Sequence, residues 1–243
     1  MIGSGHFAAY LLLLLRGVVV TLELSLGALV IGSVVGILLG AMRSSRRRPL
    51  RLAALVYIEA LRSTPFVILL FLMYYAMPLA LNIDIPPFPA AISALSLHCS
   101  AYMAEVVRSG IESVAKGQWE AAAALGLGYR RIMRFVVLPQ ALPVMIPPTI
   151  GVYISTIKES SLASIVGFVE LLGQGMAIRE SNAGRGTADV LVAVAFGYFA
   201  ICYSLSRLGR YIEGRSSRDR RAAAVRARPA AAPRWRFARR TLS

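Results

Sequence analysis

Four stretches of this 243-residue chain are nearly free of charge and long enough to cross a lipid bilayer. They run over about 17–42, 65–81, 147–172 and 188–205. A spanning helix needs roughly 20 apolar residues. A fifth stretch, about 87–107, has the length but carries His98 and Glu105. Inside a bilayer every backbone N–H and C=O must bond within its own element, which selects helices over open sheets. The expectation is an all-α integral membrane protein with about five transmembrane helices. Only 16% of residues are charged, against about 25% in soluble domains, which argues against a soluble domain. The first apolar run lacks a preceding basic region and a following small-residue cleavage site, so it is expected to stay as a helix.

The net charge of +15 is unevenly placed. Arg43, Arg46, Arg47, Arg48 and Arg51 lie between the first and second spans. Arg108, Lys116, Arg130, Arg131 and Arg134 lie between the third and fourth, and a run of arginines from Arg207 to Arg240 follows the fifth. The alternate connections hold only Arg16, Arg179 and Arg185. Basic residues concentrate on the cytoplasmic side. The N-terminus is therefore expected outside and the C-terminus inside, which requires an odd number of spans. The arginines flank spans and accompany no base-reading motif, so lipid headgroups rather than nucleic acid explain them.

Proline and glycine subdivide this plan. Gly32, Gly36 and Gly40 recur at every fourth position, which places them on one face where a second helix can come close. Pro65 should bend the second helix, expected from about Leu52 to Met77. Pro139, Pro143, Pro147 and Pro148 should break the entry to the fourth. The glycine-containing stretch 173–187 is expected to be an outer loop. A transmembrane domain over 1–213 would then be followed by a basic, disordered tail over 214–243, rich in Arg, Ala, Ser and Pro.

The chemistry of an enzyme is missing. There is no G-x-x-x-x-G-K-[ST] phosphate loop, no G-x-S-x-G and no set of ligands with metal spacing. His98 and Glu105 lie two helical turns apart, but no nucleophile accompanies them. Cys99 and Cys202 read as buried apolar thiols. What remains is one inner connection, K-G-Q-W-E-A-A-A-A-L-G from Lys116 to Gly126. Its alanines favour helix and keep side chains small, so a partner's surface can approach the backbone. Gly126 and Gly128 permit a sharp change of direction before Leu138 and Pro139 lead back to the membrane.

The spacing E-A-A-x-x-x-G-x9-[IV]-x-L-P is present as Glu120, Ala121, Ala122, Gly126, Val136, Leu138 and Pro139. It resembles the signature of the membrane subunits of bacterial ABC importers. K-G-Q-W (116–119) and L-P-Q-A-L (138–142) look like the polar amino-acid branch of that family. Y-I-E-A-L-R-S-T-P (57–65) is similar to that branch's Y-V-E-x-x-R-G-T-P. The stretch 153–172 is similar to its F-I-S-x-x-K-D-T-S-L-x-S-x-I-G-x-x-E-L. The match covers about residues 17–210. Departures are Ser63 for glycine, Leu69 for a usual glutamine, Leu97-His98-Cys99-Ser100 for L-N-S-G, and Glu159 for aspartate.

The resemblance implies a type I ABC importer permease fold, working as a dimer with a second, identical or homologous permease subunit in the bacterial inner membrane. It implies a cytoplasmic coupling helix at Glu120 that seats in an ABC ATPase dimer, and a periplasmic solute-binding protein that delivers the solute. This chain would hold no cofactor, ATP and Mg being used by the partner ATPase. The implied cargo is a polar or charged amino acid; an opine or other small zwitterion, or a scaffold that does not transport, are the alternatives. Buried charge is costly in a bilayer and should face protein or water. His98, Tyr102, Glu105, Glu159 and Ser160 are the candidate solute-path residues. Glu59 and Arg62, three apart, are a candidate structural ion pair.

Overall fold

A computed structural model describes residues 4–45, 47–182 and 186–226. Among these residues the chain is helical throughout, without a strand. Helix α1 (Ser4–Arg43) is followed by α2 (Arg48–Arg62). Then α3 (Phe66–Phe71), a π-helical turn (Leu72–Ala76) and α4 (Met77–Leu81) form one rod. Helix α5 (Pro87–Glu112) returns to the short α6 (Lys116–Ala124). Next, α7 (Tyr129–Ile132), a second π turn (Met133–Val137), α8 (Leu138–Glu159) and a 3-10 segment (Ser160–Val166) run on together. Helices α9 (Leu171–Ser181) and α10 (Thr187–Arg226) complete the order.

Four helical units are long and apolar enough to cross a membrane: Ala9–Arg43, Pro87–Glu112, Tyr129–Val166 and Thr187–Gly214. A fifth exists if the broken pair α2 plus Phe66–Leu81 counts as one span. The count is thus four, or the expected five when the broken pair is taken as one span. That break is sharper than a proline bend: the two halves meet at 102°. Pro65 has no N–H and disfavours helical geometry at the residue before it. Pro65 itself sits at φ −56°, ψ 137°. The helix also begins at Arg48 rather than near Leu52, because Pro49 fits the first helical turn.

The most buried helix is α5, and α1 lies along it. The three glycines of α1 form that seam. A Cβ added at Gly32 would stand 2.7 Å from Cβ of Cys99, at Gly36 2.5 Å from Cβ of Met103, and at Gly40 2.6 Å from Cβ of Val107. Glycines every four residues meet partners every four residues, so the helices touch almost backbone to backbone. Above the seam, Leu24, Leu70, Ala94 and Leu95 form a core with Ala163 and Val166. At the other end Val107, Ile111, Val114, Ile132 and Val137 enclose Ala122 of α6. Large apolar side chains such as Leu26, Val30 and Leu38 on α1, and Val192 and Phe196 on α10, point away from the bundle. A bilayer accommodates them without cost.

Two expectations are corrected. The prolines do not break the entry to the fourth span: α8 runs unbroken through Pro143, Pro147 and Pro148. Membrane helices tolerate proline in this way more readily than soluble ones. The stretch from Leu171 to Ser181 is a helix, not a loop, because Glu170 caps it by accepting from N–H of Leu172 and Gly173. Gly184 lies outside the described residues. Helix α10 continues to Arg226, beyond Gly214 where a disordered tail is expected; residues 227–243 lie outside the described residues.

Candidate functional site

Two places gather the residues singled out by sequence. The first is the connection between α5 and α8. Helix α6 ends in a paired closure, with Gly126 N–H donating to Ala123 O at 2.9 Å and Leu127 N–H to Ala122 O at 3.2 Å. These are the two bonds of a Schellman cap, which requires the left-handed conformation that glycine adopts most readily. Gly126 has φ +74°. Leu127 then turns inward against the core and Leu125 turns outward, 81% exposed.

The helix is anchored on one side only. Ala122 is buried and Trp119 packs beside it. Glu120, Ala121, Ala123, Ala124 and Gly126 are exposed. Trp119 stacks on Tyr129 with ring centroids 6.2 Å apart, tying α6 to α7. Leu138 is half-buried and Pro139 exposed at the start of α8. A rigid, one-sided platform of small side chains results, coupled through one apolar core to the ends of α5 and α8. Ala121 and Ala122 of the motif thus have opposite fates, one facing out and the other in.

The second place lies within the spans. Nδ1 of His98 on α5 stands 2.8 Å from Oε2 of Glu159 at the end of α8. The imidazole lies between Phe66 and Tyr102, at ring-centroid distances of 5.4 and 4.8 Å. His98, Tyr102 and Glu159 line a cavity of about 310 Å³ together with Gly151, Ser155 and Thr156. Three of the five candidate path residues therefore meet. The other two do not. Glu105 is held by Arg108 at 2.5 Å and faces Arg62 at 3.8 Å. Ser160 is fully buried, its hydroxyl donating to Ile157 O at 2.7 Å, where it caps the end of α8 rather than facing the cavity.

The Glu59–Arg62 pair is present but loose. It spans 3.9 Å with Glu59 more than half exposed. Arg62 also reaches Glu105 on α5 and lies over the Tyr102 ring, 5.6 Å from its centroid. It is therefore a bridge between helices as much as a partner within one.

Sequence reading missed Glu170, which has no exposed surface. It accepts from Leu172 N at 2.8 Å, from Gly173 N at 3.0 Å and from the Tyr198 hydroxyl. Leu171 N–H bonds Thr21 Oγ1 at 3.1 Å beside it, so α1, α9 and α10 converge there. Burial pushes the Glu170 carboxyl above its ordinary range, against the bonds from Tyr198 and the two amides. The available signal was a lone acid between two apolar runs, which must find donors. Also unforeseen were the bonds Tyr57–Ser100 at 2.8 Å and Ser33–Tyr153 at 2.9 Å, which tie α2 to α5 and α1 to α8.

Comparison with known proteins places this geometry. Residues 10–218 match the family described as binding-protein-dependent transport system inner membrane component. The L-cystine transport system permease protein TcyB of Bacillus subtilis is 37% identical over 202 residues, covering 83% of this chain and 86% of that protein. The glutamine transport system permease protein GlnP of Escherichia coli K12 is 38% identical over 204 residues, covering 84% and 92%. The arginine transport system permease protein ArtQ of Bacillus subtilis is 32% identical over 203 residues, covering 82% and 90%. Among solved structures, an amino acid ABC transporter crystallised with histidines superposes with TM-score 0.82 at 33% identity, covering 88% of this chain and 99% of that one. The inward-facing MetNI methionine ABC transporter superposes with TM-score 0.64 at 26% identity, covering 83% and 97%.

Proposed function

This chain belongs to the family of binding-protein-dependent transport inner-membrane components, and from that premise we propose that its cargo is a polar or charged amino acid. It is a permease and not an enzyme; ATP is hydrolysed in a separate subunit. The proteins it resembles are named for cystine, glutamine and arginine, which supports the cargo class without selecting a member.

The observation that carries the mechanism is the one-sided exposure of α6. No described residue covers Glu120, Ala121, Ala123, Ala124 or Gly126, yet the opposite side is locked into the core shared by α5 and α8. We assign α6 as the coupling helix. Its exposed face seats in a cytoplasmic ATPase that uses ATP and Mg, one ATPase for each of two permease subunits. Glu120 supplies the charged contact, and Ala121 and Gly126 let the surfaces close. Ala122, Leu138 and Pro139 hold the helix to the spans. Displacement of α6 then moves the nearby ends of α5 and α8, and these two helices carry the contacting His98 and Glu159 beside the cavity. A motor can bias two states only by contacting them differently; here the contact is with α6.

From the basic connections we infer that α6 and the C-terminus lie on the cytoplasmic side and the N-terminus on the periplasmic side. A periplasmic binding protein would deliver solute at the end away from α6. His98, Tyr102 and Glu159 would meet the solute as it passes, while the Glu59–Arg62–Glu105 cluster holds α2 to α5 near the inner surface.

The test is Glu120→Arg in proteoliposomes holding permease, ATPase and binding protein. Uptake should fall at least about tenfold and the ATPase should dissociate on purification, because a reversed charge in a closely packed contact costs about 2 kcal/mol or more. Normal uptake with a stably bound ATPase would end the docking assignment.

A further inference from the structure

The two oxygens of Glu159 are not equivalent. Oε2 is buried against Nδ1 of His98, 2.8 Å away, a close contact that lacks hydrogen-bond geometry. The side chain as a whole remains 25% exposed, so it is Oε1 that is open to the cavity. His98 is not a free arm that can swing away. Its ring is 7% exposed and held between Phe66 and Tyr102. The next carboxylate along α5, Glu105, is occupied by Arg108 and Arg62. The cavity therefore offers a solute one carboxylate oxygen, plus hydroxyls from Ser155, Thr156 and Tyr102. Its volume of about 310 Å³ equals that of ~10 waters, room for one small solute.

Resting on the assignment of this cavity to the solute path, we propose that His98 is a specificity-determining residue that restricts the solute to an amino acid with a single ammonium group and an uncharged side chain. One ammonium needs one oxygen, and Oε1 supplies it. A guanidinium binds a carboxylate best through two parallel N–H···O bonds, and the second oxygen is shut away beneath His98. A second cation brought into the span would meet no free anion, and an unpaired charge there is strongly disfavoured. The side chain at position 98 thus sets which charge class can dwell in the path.

Equilibrium binding of radiolabelled glutamine and arginine tests this on the permease–ATPase complex in nanodiscs, without binding protein so that the receptor's selectivity does not enter. The unmodified complex should favour glutamine by at least about tenfold. His98→Asn, whose shorter side chain leaves Oε2 free, should shift the ratio toward arginine by about tenfold. His98→Phe, which keeps a ring between Phe66 and Tyr102, should leave Oε2 covered and the ratio near that of the unmodified complex, and so separates uncovering of Oε2 from mere loss of the imidazole. Equal binding of both solutes by the unmodified complex, an unchanged ratio in His98→Asn, or an equal shift in both variants overturns the role of His98 and leaves the path assignment standing. Undiminished glutamine binding by Glu159→Gln, or no binding of either solute by the unmodified complex, removes the path assignment and the proposal with it.

Discussion

Small residues gather at two places in this chain, and the structure treats them in opposite ways. In the seam between α1 and α5, Gly32, Gly36 and Gly40 are pressed against Cys99, Met103 and Val107 of the same chain. In α6, Ala121, Ala123, Ala124 and Gly126 are just as small but open. A Cβ added at Gly126 would meet no atom within 4 Å. Small side chains in both places announce a close approach. At the seam the approaching body is α5; at α6 no described residue takes that place, and the proposed occupant is the ATPase. A run of alanine and glycine therefore reports that a contact is tight, and burial reports whose contact it is.

Substitutions can break or sharpen this contrast. The largest loss of stability is expected for Gly36→Leu. Its Cβ would stand 2.8 Å from Ser100 O, a backbone atom that cannot rotate away. A cost of about 3 kcal/mol follows from forcing side-chain atoms into a filled seam, read as a lowered thermal midpoint of the purified complex. A midpoint unchanged from the parent protein would mean that the seam is not tight. Next comes Glu170→Ala, which strips the cap of α9 and removes the carboxylate acceptor of the Tyr198 hydroxyl, at about 2 kcal/mol. Its readout is hydrogen exchange at Leu172 and Gly173, which should rise there and not at α6.

Smaller still is Gly126→Val. There is space for the side chain, so the cost is only the strain at φ +74°, about 1–2 kcal/mol. Ala124→Leu should cost less than about 0.5 kcal/mol, as for an exposed helical site. Yet it should weaken ATPase association at least about tenfold, since a larger side chain on a face that packs against a partner leaves a gap elsewhere. A parallel fall in stability at Ala124 and Gly36 would erase the difference between the two regions. Full stability with full association at Ala124 would shift the docking face away from this part of α6.

Much of the architecture was legible because a bilayer allows few solutions. Charge-free runs gave the spans, glycine spacing gave the seam, and Gly126 marked the turn after α6. The errors share a cause. Pro143, Pro147 and Pro148 read as helix breakers, but the breaking power of proline depends on whether other groups satisfy the backbone, which no local window contains. The stretch after Gly173 reads as loop until Glu170 is seen to cap it. Glu105 and Ser160 share the helical region of the path residues, but helical phase aims Glu105 at Arg108 and Ser160 at its own backbone. His98 and Glu159 lie 61 positions apart, and their contact had no local sequence mark.

By itself the sequence determined that this chain crosses a membrane several times, which ends its basic connections favour, and that one inner connection is shaped for close contact. Those properties depend on composition and on spacings of four or fewer residues, so they are local. Only the tertiary structure decided which faces are covered, that α2 turns by 102° away from the rod after it, and that His98 meets Glu159. These depend on distances between atoms far apart in the chain, set when the glycine seam draws α1 onto α5 and α8 closes beside them.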